Sequence, residues 1–161
     1  MILIPEIPFQ VEAVASFCRE RELRGLPTLI CIAEGAHAEG AGLTVQATVA
    51  DSPDPLRLGG VGHWLQKQLE PLLQSEVRTT LLGHVQRGGS PTPFDRVLAT
   101  RFGYHAAQLI EARQFGRMVA LQGDICTSVP IAEVAGRNRT VSPDHELLRA
   151  ARGLGVSLGD R

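Results

Sequence analysis

The sequence predicts an α/β fold, a mostly parallel sheet layered by helices. Two observations predict it. Short apolar runs alternate with stretches whose apolar residues recur at helical spacing. The central run, Thr28–Ala33, is continuously apolar, as in a strand covered on both faces. Length and composition agree: 161 residues fit one domain or most of one, with 43% apolar and 20% charged residues. A net charge of −1, from 16 basic and 17 acidic residues, excludes disorder as the main state. It also argues against a nucleic-acid module held by bulk charge.

Met1–Ile4 reads as a strand ended by Pro5. Val11, Val14, Ala15 and Cys18 mark an amphipathic helix over about 10–24, and Gly25 ends it as a C-cap glycine. Thr28–Ala33 is the second strand. Residues 35–55 carry three glycines, two prolines and three acids, and read as a long surface loop with a short strand near Leu43–Val49. Leu58, Val61, Leu65, Leu69 and Leu72 mark a second helix, and Val77–Val85 a third strand. Gln86-Arg-Gly-Gly-Ser-Pro-Thr-Pro93 is a turn-rich loop. Thr92 is then an N-cap, with Pro93 in the first helical position and Asp95 behind it. That helix runs to about Arg113 with Val97, Leu98, Phe102, Ala106, Leu109 and Ile110 inward. Arg117–Gln122 and Ile125–Val129 are further strands, with short helices near 131–136 and 144–151.

Cys18, Cys31 and Cys126 are scattered and form no C-x-x-C pair, so no disulfide framework or zinc site is expected; Cys18 and Cys31 read as small core hydrophobes. This fits a reducing cytoplasm. The N-terminus lacks the basic region of a signal peptide, and no apolar run reaches ~18 residues, so no membrane span is expected.

In a parallel sheet, ligand groups gather beyond the carboxyl ends of strands. Two places fit: Ala33-Glu34-Gly35, and Gly83 to Gly89. In the second, Gly88 and Gly89 let the backbone bend and approach a ligand. Arg87 can fork onto two phosphate oxygens, and His84 can donate to a phosphate or hydroxyl. Arg78 lies six residues before His84. On a strand that is about 20 Å, too far for both to share one ligand within one subunit, so a neighbouring subunit is the natural place for Arg78 to act.

The longer string Gly83-His-Val-Gln-Arg-Gly-Gly-Ser-Pro-Thr-Pro-Phe-Asp-Arg-Val-Leu-Ala-Thr100 closely resembles the 6-phosphofructokinase family. So do Leu3-Ile-Pro-Glu-Ile-Pro-Phe9 and Ile32-Ala-Glu-Gly35, in the same order and spacing. The tail Ala151-Arg-Gly-Leu-Gly-Val-Ser-Leu-Gly-Asp160 is similar to bacterial members nearer the pyrophosphate-using enzymes. The resemblance implies a phosphofructokinase-like fold. It also implies a glycolytic activity: phosphoryl transfer from ATP, or alternatively pyrophosphate, to the 1-hydroxyl of fructose 6-phosphate, giving fructose 1,6-bisphosphate.

By the same resemblance, Glu34 takes a sugar hydroxyl, and His84 and Arg87 bind the sugar phosphate in one subunit of a homo-oligomer. Arg78 reaches the 6-phosphate of the adjacent subunit. Residues 1–88 and 140–161 correspond to the sugar-phosphate-binding domain, and 89–139 to a segment of the donor-side domain. The family's Gly-Gly-Asp donor loop, its Thr-Ile-Asp-Asn-Asp segment with the general base, and a Met-Gly-Arg motif do not occur in these residues. The chain is therefore expected to match the C-terminal half of such an enzyme, with no catalytic residue of its own and no turnover alone. Magnesium would be bound with the donor outside it. Arg24-Gly-Leu-Pro-Thr28 lacks the lysines of members that answer to nucleotide effectors; only Arg21 and Arg24 stand nearby.

Other candidates carry less. Gly59-Gly-Val-Gly62 begins a helix and is followed by no Lys-Ser/Thr. His37 and His63, near Glu34, Glu39 and Asp51, fit no metal-ligand spacing. Trp64 reads as a packing or interface residue, and Arg137-Asn-Arg139 as a solvated turn that joins two domains in the family. A non-catalytic sugar-phosphate-binding or assembly module is the rival function.

Overall fold

The computed structural model describes residues 1–41, 45–48, 56–58 and 60–161. The metal reading at Asp51, the role of Gly59, and Leu43 and Val49 at the expected strand's ends lie outside the described residues. The chain forms two compact units, one of Met1–Leu81 with Thr140–Arg161, the other of Leu82–Arg139.

In the first unit, β1 (Ile2–Leu3) and β2 (Cys31–Ile32) pair in parallel. The amide of Cys31 donates to Met1 O and that of Ala33 to Leu3 O. On its other side β1 is met by the C-terminal tail, where the amide of Ile2 donates to Ser157 O at 3.0 Å and that of Gln10 to Gly159 O at 2.7 Å. Helix α1 (Val11–Leu23) buries Val14, Ala15 and Cys18. It closes with a Schellman motif: the amides of Gly25 and Leu26 donate to Glu22 O and Arg21 O, with Gly25 at φ +67°. Strands β3 (Val45–Thr48) and β4 (Leu56–Leu58) form an antiparallel pair. Helix α2 (Val61–Leu69) follows, continued by a 3-10 turn at Glu70–Leu72.

The core joins Leu3 and Phe9 to Val14, Ala15 and Cys18 of α1 and to Val61, Leu65 and Leu69 of α2. Burial pushes the Cys18 thiol up from its ordinary pKa. Trp64 packs against this core, its ring 6.2 Å from that of Phe9 and tilted. A smaller cluster of Ile7, Leu148 and Leu158 seats the last helix of the chain, Glu146–Gly153, labelled α5 below.

In the second unit a 3-10 turn at Gly83–Arg87 precedes helix α3 (Pro93–Glu111). Thr92 caps α3 in a full capping box with Asp95: the Asp95 amide donates to Thr92 Oγ1 and the Thr92 amide to Asp95 Oδ2. Strands β5 (Arg117–Gln122) and β6 (Ile125–Pro130) form an antiparallel hairpin against α3. Gly123 sits at φ +59° in the first turn position, where a type II′ turn takes glycine. Helix α4 (Ile131–Val134) is a single turn.

Helices with a parallel β1–β2 pair make this an α/β arrangement, though the other two strand pairs are antiparallel. Four expectations need correction. Cys31 is exposed, as is Leu29 at 78%, while Ile30 and Ile32 pack on the core. β2 is thus covered on one face within the described residues. Val77–Val85 is not a strand: it has no ladder partner there, and Gly83, at φ +50°, starts the 3-10 turn. Leu58 lies on β4, because Gly60 in the left-handed region (φ +80°) precedes the first helical residue. On α3, Val97 and Ile110 are 60% and 62% exposed, since the hairpin reaches only the half-buried Leu98, Phe102, Ala106 and Leu109 side of that face.

Candidate functional site

Glu34 stands at the carboxyl end of the parallel pair, two residues past β2, in a turn closed by the Ala36 amide donating to Ala33 O at 3.0 Å. The chain must turn tightly there: a Cβ on Gly35 would sit 3.2 Å from Pro5 Cγ, just beyond β1. The Glu34 carboxylate is exposed. This is where ligand groups gather in such sheets.

His84 and Arg87 share the 3-10 turn Gly83–Arg87. A 3-10 turn has about three residues per repeat, so residues three apart lie one above the other. The turn therefore puts imidazole and guanidinium on one exposed face, a pairing that a strand would not make. Gly88 follows in extended backbone, its amide bonded to Val85 O, and a Cβ there would meet that oxygen at 3.2 Å. Gly89, at φ +100°, turns the chain toward the Thr92 cap.

Arg78 lies in the extended stretch before the turn, in the first unit. Its Nε and Nη2 donate to the two Glu76 carboxylate oxygens at 2.9 and 2.8 Å, raising its pKa above the ordinary arginine value. The 20 Å separation from His84 assumed a strand through both residues, and that strand is absent. Among the described residues no hydrogen bond joins Glu34 to Arg78.

Glu76 is a charged neighbour that the sequence reading passed over. Its signal was present: in extended backbone, residues two apart share a face. The Arg152–Asp160 fork was also passed over. Arg152 of α5 donates through both terminal nitrogens to Asp160, at 3.1 and 2.7 Å, tying the tail to its helix. The guanidinium holds the Asp160 carboxyl below the usual carboxylate range.

Arg21 and Arg24, the remaining cations near the expected effector position, are both engaged. Arg21 donates twice to Pro27 O and lies over the Phe17 ring; Arg24 pairs with Glu20 at 3.7 Å. Among the described residues no cluster of three or more His, Cys, Asp or Glu side chains could hold a metal ion. Among those described residues the donor set does not fit a magnesium site. No helix there is long and apolar enough to cross a membrane.

The described residues thus hold two separate features, an exposed acid just past a parallel-strand end and a glycine-flanked 3-10 turn carrying a histidine and an arginine. Comparison with known proteins gives the family. Residues 1–110 match the pattern described as Phosphofructokinase, and the chain belongs to that family. It is 45% identical over 161 residues to the ATP-dependent 6-phosphofructokinase of Chloroflexus aurantiacus (strain ATCC 29366 / DSM 635 / J-10-fl), covering 99% of this chain and 43% of that protein. It is 41% identical to ATP-dependent 6-phosphofructokinase 2 of Clostridium perfringens (strain 13 / Type A), covering 99% of this chain and 44% of that protein. Over 143 residues it is 47% identical to the pyrophosphate–fructose 6-phosphate 1-phosphotransferase of Streptomyces coelicolor (strain ATCC BAA-471 / A3(2) / M145), covering 89% of this chain and 42% of that protein. The chain thus spans about 43% of the length of the curated relatives it matches.

Proposed function

We propose that this chain supplies the fructose 6-phosphate-binding part of a cytoplasmic, homo-oligomeric 6-phosphofructokinase of glycolysis, with ATP as the phosphoryl donor. The observation that carries this is the family match over residues 1–110, which takes in Glu34, Arg78, His84 and Arg87 together. Phosphoryl transfer is catalysed mainly by positioning and charge neutralisation. In this reading Glu34 accepts a hydrogen bond from a sugar hydroxyl. His84 and Arg87 bind the sugar phosphate, with Arg87 forked onto its phosphate oxygens, and Arg78 reaches the 6-phosphate bound to the adjacent subunit. Residues 1–88 and 140–161 serve the sugar phosphate, and 89–139 the donor side. The donor, the magnesium that accompanies it, and the base that activates the 1-hydroxyl are bound or supplied outside these residues.

A pyrophosphate donor is the second reading. It is favoured by the Streptomyces coelicolor relative, whose name specifies pyrophosphate.

The test uses the full-length enzyme carrying these residues, assayed with ATP and with pyrophosphate. Arg87→Ala leaves a phosphate charge unpaired and should raise the KM for fructose 6-phosphate roughly 30-fold or more, with the KM for the donor little changed. An unchanged KM for fructose 6-phosphate would overturn the assignment. Turnover with pyrophosphate and none with ATP would select the second reading.

A further inference from the structure

Glu76 and Arg78 occupy one face of an extended segment whose opposite face is fastened to α2. Gln66 Nε2 donates to Val77 O at 3.1 Å, and Thr79 Oγ1 donates to Gly62 O at 3.3 Å. Val77 and Thr79 are half-buried, whereas Glu76, Arg78 and Thr80 are exposed. The alternation of a pleated backbone therefore fixes both charged side chains on the outer face.

Their contact is bidentate: Arg78 Nε bonds Glu76 Oε1 at 2.9 Å and Arg78 Nη2 bonds Oε2 at 2.8 Å. This occupies the side edge of the guanidinium. Of its five N–H groups, the two on Nη1 and the second on Nη2 are not used by Glu76. The remaining Nη2 N–H and the outward Nη1 N–H form an end-on fork whose geometry matches two phosphate oxygens, while the other Nη1 N–H points back beside Cδ. A lone arginine on an open surface samples many rotamers, and each bond to a phosphate must then work against that freedom. The Glu76 fork removes part of it in advance.

We propose that Glu76 is a positioning residue for phosphate recognition: it clamps the side edge of Arg78 and leaves the end-on edge to receive a sugar phosphate monoester. This rests on the reading above in which Arg78 binds the 6-phosphate. Glu76 itself does not touch the ligand, which its charge would repel. If the phosphate instead displaced Glu76 and took the side edge, Glu76 would be a competitor, and removing it would tighten binding.

The experiment compares Glu76→Gln, Arg78→Ala and the double variant in the full-length enzyme, reading kcat and the KM values for fructose 6-phosphate and donor. Glu76→Gln is expected to raise the KM for fructose 6-phosphate about two- to fivefold, the range an exposed ion pair supports, with kcat and the donor KM unchanged. In the Arg78→Ala background it should add nothing, because the group it positions is gone. A fall or no change in KM with Glu76→Gln, while Arg78→Ala raises it, overturns the positioning role and leaves Arg78 as a phosphate ligand. An equal rise in both backgrounds also overturns it. No effect of Arg78→Ala removes the underlying reading, and the proposal with it.

Discussion

Gly159 is the position where the tail is most tightly fitted. Its φ is +76°, in the left-handed region, and a Cβ there would lie 2.6 Å from Leu3 Cδ2, 3.0 Å from Phe9 Cβ and 3.2 Å from Val14 Cγ2. Those three residues are wholly buried, so none can swing into solvent. Phe9 Cβ is also a single bond from the backbone and moves only with it. Gly159→Ala therefore carries two penalties: about 1–2 kcal/mol for a left-handed non-glycine residue, and about 1–3 kcal/mol for overpacking a closed core.

Gly155 separates the two. It has nearly the same φ, +77°, but a Cβ there meets nothing within 4 Å. Gly155→Ala should show the backbone penalty alone. The gap between the variants is then about 1–3 kcal/mol. Thermal and urea denaturation of the enzyme carrying each variant would measure it. Leu3→Val, which shortens one of the clashing side chains, should make the double variant with Gly159→Ala less destabilised than the sum of the two changes. If Gly159→Ala and Gly155→Ala lose equal stability, the tail is not packed against β1 and α1 as described.

The Arg152–Asp160 fork gives a pH signature. The folded pKa of Asp160 is depressed by Arg152, so its contribution is full above the unfolded carboxyl pKa of about 4 and is lost as pH falls through the lower folded value. Both side chains are about one quarter exposed, and Asp160→Asn should lose roughly 1 kcal/mol near neutral pH; denaturation curves that show the same deficit at pH 7 and pH 2 would contradict the ion pair. Arg78 can be tested by mixing subunits. Chains carrying Arg78→Ala, combined with chains lacking the catalytic base, should regain activity in hybrid oligomers, whereas Arg87→Ala chains should not. Normally assembled hybrids without rescue would place Arg78 outside a cross-subunit site.

Local rules carried far in this chain because several elements are decided locally. The capping box at Thr92–Asp95, the Gly25 end of α1 and the extents of β5 and β6 all follow from side chains within a few residues of one another. The family string around His84 and Arg87 is also contiguous, and so it was legible in the sequence. What depended on distant partners was not. Val77–Val85 has the composition of a strand, but a strand exists only where a ladder partner lies alongside, and the chain turns at Gly83 instead. Cys31 lies in an apolar run, yet its face of β2 is uncovered. The pairing of His84 with Arg87 on one face required the 3-10 turn, because a strand would send residues three apart to opposite faces. The Arg78 clamp was half visible in the Glu-x-Arg spacing. Its fastening to α2 was not, since Gln66 and Gly62 are remote in sequence and meet Val77 and Thr79 only through tertiary packing.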